Sequence, residues 1–118
     1  MSSRDWKIRI QDILDAIDSI QNKTEGISFD DFEADETLVK AILYDFIVIG
    51  EAATRVPAEI QSRYPDIPWR LMGDLRNVVT HQYFQVRLTI IWNTVKNNLP
   101  PLVTELEDLL QQEVGKSE

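Results

Sequence analysis

The sequence predicts an all-α fold, an up-and-down antiparallel bundle of about five helices. Apolar residues recur at three- and four-residue steps along most of the chain. Strand-like alternation does not run far, and only four glycines interrupt 118 residues. The links between periodic stretches are short, which folds successive amphipathic helices back on one another. A chain of this length can bury a sizeable core, so one domain over residues 1–118 is expected.

Each element has its own signal. Trp6, Ile10, Ile13, Ile17 and Ile20 form one stripe of a first helix, with acids spread around the rest of its surface. That helix should stop between Asn22 and Gly26, where helix-breaking residues gather. Thr24 to Asp35 reads as an acidic connector pinned to the body by Phe29 and Phe32. Asp35 reads as the N-cap of a second helix. Leu38, Ala41, Ile42, Phe46, Ile49 and Ala53 form that helix's main face, and Leu43, Ile47 and Val48 widen it to most sides. A helix so apolar is buried in the centre or against a second subunit. Gly50 in its interior costs about 1 kcal/mol relative to alanine, which close approach of another helix can compensate.

Pro57, Pro65 and Pro68 frame a short helical turn and a kinked loop, and Pro68 suits the first turn of a third helix. Trp69, Met72, Leu75 and Val79 lie along that helix. A break is expected near Phe84 to Val86. A fourth helix then carries Leu88, Ile91, Trp92 and Val95. The run Asn97-Asn98-Leu99-Pro100-Pro101 should interrupt it. A fifth helix uses Leu102, Leu106 and Leu109, with Val103 and Leu110 beside them, and should fray over its last few residues.

Composition narrows the chemistry. No apolar run reaches the ~20 residues of a membrane span, and the charged N-terminus does not read as a signal peptide, so a cytoplasmic protein is expected. There are no cysteines, which removes disulfides and thiolate chemistry. A single histidine excludes a His-rich metal site unless subunits share ligands; no metal and no cofactor are expected. The net charge of -8 argues against casual nucleic-acid binding. Residues 50–99 nevertheless hold six bases (Arg55, Arg63, Arg70, Arg76, Arg87 and Lys96) and four acids (Glu51, Glu59, Asp66 and Asp74), and are positive by two. Charge alone is therefore compatible with a local RNA site, with a solvated body, or with a basic partner.

The segment Asp74-Leu75-Arg76-Asn77-Val78-Val79-Thr80-His81-Gln82-Tyr83-Phe84 holds the chain's only histidine. Imidazole moves protons near neutral pH, and guanidinium grips a phosphate on two edges. Asn77 and His81, four apart, share a helical face. Arg76 and His81 sit about 140° apart around an ideal helix. They reach one phosphate only if the helix ends or distorts near Thr80, or if a second subunit contributes. Taken alone, a histidine is more often structural, a helical arginine more often solvated, and Tyr83-Phe84 more often core.

The wider context resembles the HEPN superfamily, specifically its HepT-like branch, over nearly the whole chain. The matching landmarks begin with Asp5-Trp6-Lys7-Ile8-Arg9-Ile10-Gln11-Asp12-Ile13, then Ala41 followed by Ile49-Gly50-Glu51-Ala52-Ala53. Ile67-Pro68-Trp69 comes next, then Gly73-Asp74-Leu75-Arg76-Asn77 running into His81-Gln82-Tyr83-Phe84. Ile91-Trp92-Asn93-Thr94-Val95 and Asn98-Leu99-Pro100 complete the set. The family's site signature is Arg, a polar residue, a His after four intervening residues, then x-Tyr. Arg76, Asn77, His81 and Tyr83 fill it. One departure is Arg87, where relatives often carry an acid capping the fourth helix.

The resemblance implies a homodimeric, metal-independent endoribonuclease toxin of a type VII-like toxin–antitoxin pair. Arg76 and His81 would be catalytic, with Asn77 and Tyr83 supporting. The implied partner is an MntA-like nucleotidyltransferase antitoxin, which silences such toxins by moving AMP onto the motif tyrosine, here Tyr83. RNA is the implied substrate. Two other readings stand beside it: a non-catalytic helical adaptor for a minimal nucleotidyltransferase, and a plain structural bundle in which His81 is incidental.

Overall fold

A computed structural model describes residues 3–81 and 88–117, and every described element is helical. The elements are α1 (Ser3–Thr24), α2 (Phe29–Ala34), α3 (Glu36–Thr54), α4 (Ala58–Arg63), α5 (Trp69–His81), α6 (Leu88–Asn93), a π-helical turn (Thr94–Asn98) and α7 (Leu99–Ser117). The last three run on as one rod over 88–117, so six helices are present among the described residues where about five were expected. Among the described residues no helix is long and apolar enough to cross a membrane.

The core follows the expected stripes. Ile10, Ile13, Ile17 and Ile20 of α1 are fully buried, and Trp6 nearly so. They meet Ile42, Phe46 and Ile49 of α3 and Leu102, Leu106 and Leu109 of α7 in one apolar cluster. α3 is the hub, packed against both α1 and α5. This is where a helix apolar on most of its sides can bury them. Gly26, with φ +75°, breaks the chain direction just after α1, a conformation glycine adopts without steric cost.

Two helices stand outside the expected five: α4, where a short helical turn was expected, and α2, inside the stretch expected to be a loop. Ser28 Oγ accepts from the Asp31 N–H at 3.1 Å, and the Asp31 carboxylate accepts from the Ser28 N–H at 3.1 Å. This reciprocal capping box stabilises a helix of six residues. Phe32 is fully buried, with its ring 5.1 Å from Trp92 of α6, and Phe29 lies 6.3 Å from Phe32 and 6.1 Å from Trp92. The two rings pin the segment as expected. Asp35 caps α3, its Oδ1 accepting from the Leu38 N–H at 3.0 Å.

The expected interruption at Asn97 to Pro101 is absent. Proline lacks an N–H and crowds the carbonyl four residues before it, which breaks a regular helix. The π turn removes the conflict: Leu99 N–H reaches back five residues to the Thr94 carbonyl, widening the helix ahead of Pro100 and Pro101. The rod continues, and α7 keeps helical form to Ser117, beyond the point where fraying was expected. The break expected at Phe84 to Val86 lies outside the described residues.

Candidate functional site

Arg76 rises from the middle of α5 where that helix comes closest to α3. Gly50 makes the approach possible. A Cβ built on Gly50 would stand 3.0 Å from Arg76 Cβ and 3.1 Å from the Arg76 backbone nitrogen. The close approach that the sequence suggested for this glycine is therefore made by the arginine of the motif. The next residue of α3, Glu51, accepts a hydrogen bond from Arg76 Nη1 at 3.0 Å on Oε1. The base of the Arg76 side chain thus lies close against α3 at Gly50, and its guanidinium is held by a carboxylate beside it. One Nη is committed, and arginine has further donors for a ligand. The two side chains are 41% and 49% exposed, so the pair is wet and adds little to stability. Its consequence is orientation.

Beside Arg76 lies an open cleft of about 280 Å³ between α5 and the ends of α3 and α4. Thr54, Gln61, Trp69, Gly73, Arg76 and Asn77 border it, together with Ala53 and the exposed ion pair of Arg70 and Asp74. Trp69 is fixed there: its Nε1 donates to the Tyr64 carbonyl at 3.0 Å. The Gln61 amide nitrogen donates to the carbonyls of Val56 at 3.1 Å and Ala53 at 3.4 Å. Glu113 of α7 is almost fully buried. It accepts from Arg63 Nη1 at 2.7 Å and from the Tyr64 hydroxyl at 2.6 Å. Burial first, and the bond to Glu113 second, push the Tyr64 pKa up to about 12.

Of the expected site residues, Arg76 and Asn77 come together at this cleft. α5 keeps helical backbone through His81, so the break near Thr80 that could have swung position 81 toward Arg76 is absent. Positions 76 and 81 stay about 140° apart around the axis. The His81 side chain and all of Tyr83 lie outside the described residues. Reasoning from the sequence missed Glu51. Its signal was an acid next to the interior glycine of an otherwise apolar helix.

The family described as Ribonuclease HepT-like matches residues 13–109. A provisionally named RNase of Methanocaldococcus jannaschii is 33% identical over 118 residues, covering 100% of this chain and 98% of the relative. A probable ribonuclease HepT of Thermococcus cleftensis is 36% identical over 106 residues, 90% of this chain and 96% of the relative. A provisionally named RNase of Caldanaerobacter subterraneus is 32% identical over 104 residues, 88% and 93% of the two chains. No solved structure matches the chain significantly. The chain belongs to the HepT-like ribonuclease family.

Proposed function

We propose that this protein is an endoribonuclease that cleaves RNA without a metal ion, using Arg76 and His81 from two copies of the chain. The observation that carries the reading is the held Arg76: in a chain of this family, the motif arginine is positioned by Gly50 and Glu51 at the mouth of a cleft. RNA brings its own nucleophile, the ribose 2′-hydroxyl. One His81 takes that proton as general base, and the second protonates the departing 5′-oxygen as general acid. Arg76 stabilises the charge that builds on the phosphate oxygens. Asn77 orients the phosphate or the imidazole.

The helical geometry supports the two-copy form, since Arg76 and His81 of one α5 diverge. So does the outward side of α3. Tyr44 there is 65% exposed, with Ile47 and Val48 half-buried beside it. This strip leads to Glu51 and gives a two-fold mate an apolar seat next to the site.

In the same reading the protein is a cytoplasmic toxin. An MntA-like nucleotidyltransferase silences it by transferring AMP to Tyr83, which sets bulk and negative charge where the scissile phosphate binds. The test is cleavage of single-stranded RNA in EDTA by the wild type, Arg76→Ala and His81→Ala. Activity in the wild type, lost in both variants, is expected. Cleavage that survives His81→Ala refutes the mechanism. AMP found by mass spectrometry on a residue other than Tyr83 refutes the silencing step.

A further inference from the structure

The cleft beside Arg76 has a shape and lining that phosphate chemistry alone does not use. Trp69, Gly73, Arg76 and Asn77 follow one another along α5 at steps of four, three and one, so they share one side of the helix. With a rise of 1.5 Å per residue, Trp69 stands about 10 Å along the axis from Arg76. Gly73 lies between them and leaves the space open. Its own Cβ would meet only Thr54 Cγ2, at an ordinary 3.7 Å. The volume of about 280 Å³ is many times the ~30 Å³ share of one water. At the far end is an indole whose orientation is already fixed by its bond to the Tyr64 carbonyl, so stacking on it costs little further ordering. The amides of Gln61 and Asn77 sit at the border, where the edge of a planar ring would pass.

We propose that this cleft is the subsite for one nucleobase of single-stranded RNA, the base adjoining the phosphate that Arg76 holds. The proposal rests on the ribonuclease reading above and adds where the substrate lies. A flat aromatic ring stacks on Trp69 over the gap left by Gly73, while its phosphate reaches Arg76. Bases inside a duplex are already stacked and paired, so they do not enter. The site thereby selects unpaired RNA and tolerates base identity, because every base offers a π face.

The test is binding of a single-stranded 2′-O-methyl oligonucleotide, whose blocked 2′-oxygen prevents cleavage, read by fluorescence anisotropy. Gly73→Leu, which fills the cleft from α5, is expected to weaken binding about tenfold, in the range of one lost base stack. Thr54→Phe fills it from α3 and serves as the second blocker. Inorganic tripolyphosphate, which has no base, should bind the wild type and both blocked variants alike, and duplex RNA should bind weakly to all three. Oligonucleotide affinity unchanged in both blocked variants overturns the subsite. So does an equal loss of tripolyphosphate binding, which locates the damage at Arg76. AMP binding as tightly as the oligonucleotide makes the cleft a mononucleotide site and also overturns it. A wild type that neither binds nor cuts single-stranded RNA brings down the ribonuclease reading itself. A wild type that cuts RNA while the blocked variants bind it normally brings down the subsite alone.

Discussion

Replacing Gly50 by alanine sets two effects against each other. Alanine is favoured over glycine inside a helix by about 1 kcal/mol. On an open surface Gly50→Ala would therefore stabilise. Here the new methyl stands 3.0 Å from Arg76 Cβ, 3.1 Å from the Arg76 nitrogen and 3.3 Å from Arg76 Cγ. Carbon atoms rest at about 3.5–4.0 Å, so α3 and α5 must separate by roughly half an ångström. The nearest obstacles include backbone, which cannot rotate away. Overpacking of this kind costs about 1–3 kcal/mol. The net expectation is destabilisation of up to about 2 kcal/mol. Gly73→Ala is the control, because its methyl meets Thr54 Cγ2 at 3.7 Å and should leave the gain of up to about 1 kcal/mol intact. Equilibrium urea unfolding followed by circular dichroism measures both, provided the slope is unchanged. Gly73→Ala should lie above the wild type in stability and Gly50→Ala below it. The two variants in reverse order, or Gly50→Ala as stable as Gly73→Ala, would refute the argument that this seam is spaced by a missing side chain.

Other outcomes follow from the same contacts. Glu51→Gln should leave the unfolding midpoint nearly unchanged, since an exposed pair contributes about 0–1 kcal/mol, yet lower kcat/KM for RNA by about 10- to 100-fold through lost orientation of Arg76; unaltered kinetics would make the pair incidental. Phe32→Ala should cost about 3–5 kcal/mol in urea unfolding, because the ring is fully buried against Trp92; a loss under 1 kcal/mol would show that α2 is not part of the core. Tyr64 holds its proton more tightly folded than unfolded, with a pKa of about 12 against 10. That contribution is complete below pH 10 and is lost as pH rises from 10 to 12. Unfolding free energies at pH 9 and pH 11 should therefore drop more steeply in the wild type than in Tyr64→Phe, and parallel slopes would contradict the assignment.

Much of this architecture is readable from side-chain spacing. The α1 stripe, the Asp35 cap and the close approach at Gly50 each follow from a local rule with few competitors. α2 escaped because acidic residues and a glycine suggested a loop, although Ser28 and Asp31 carry the spacing of a capping box. The rod over 88–117 escaped for another reason. Two consecutive prolines normally end a helix, and their tolerance depends on a π turn that no residue pattern announces. At the site, Arg76 and Asn77 were visible as a motif. Glu51 was not, because the pair joins residues 25 positions apart, and only the packing of α3 on α5 brings them together.

The buried carboxylate of Glu113 ties the last turns of α7 to the cleft beside Arg76. Glu113 holds the Tyr64 hydroxyl, and the carbonyl of that same tyrosine holds the Trp69 indole at the cleft. An affinity handle that pulled the last turns of α7 out of place, or a truncation ahead of residue 113, would be felt at the mouth of the cleft although it touches nothing there. Where a tag is placed is then itself a variable of the assay.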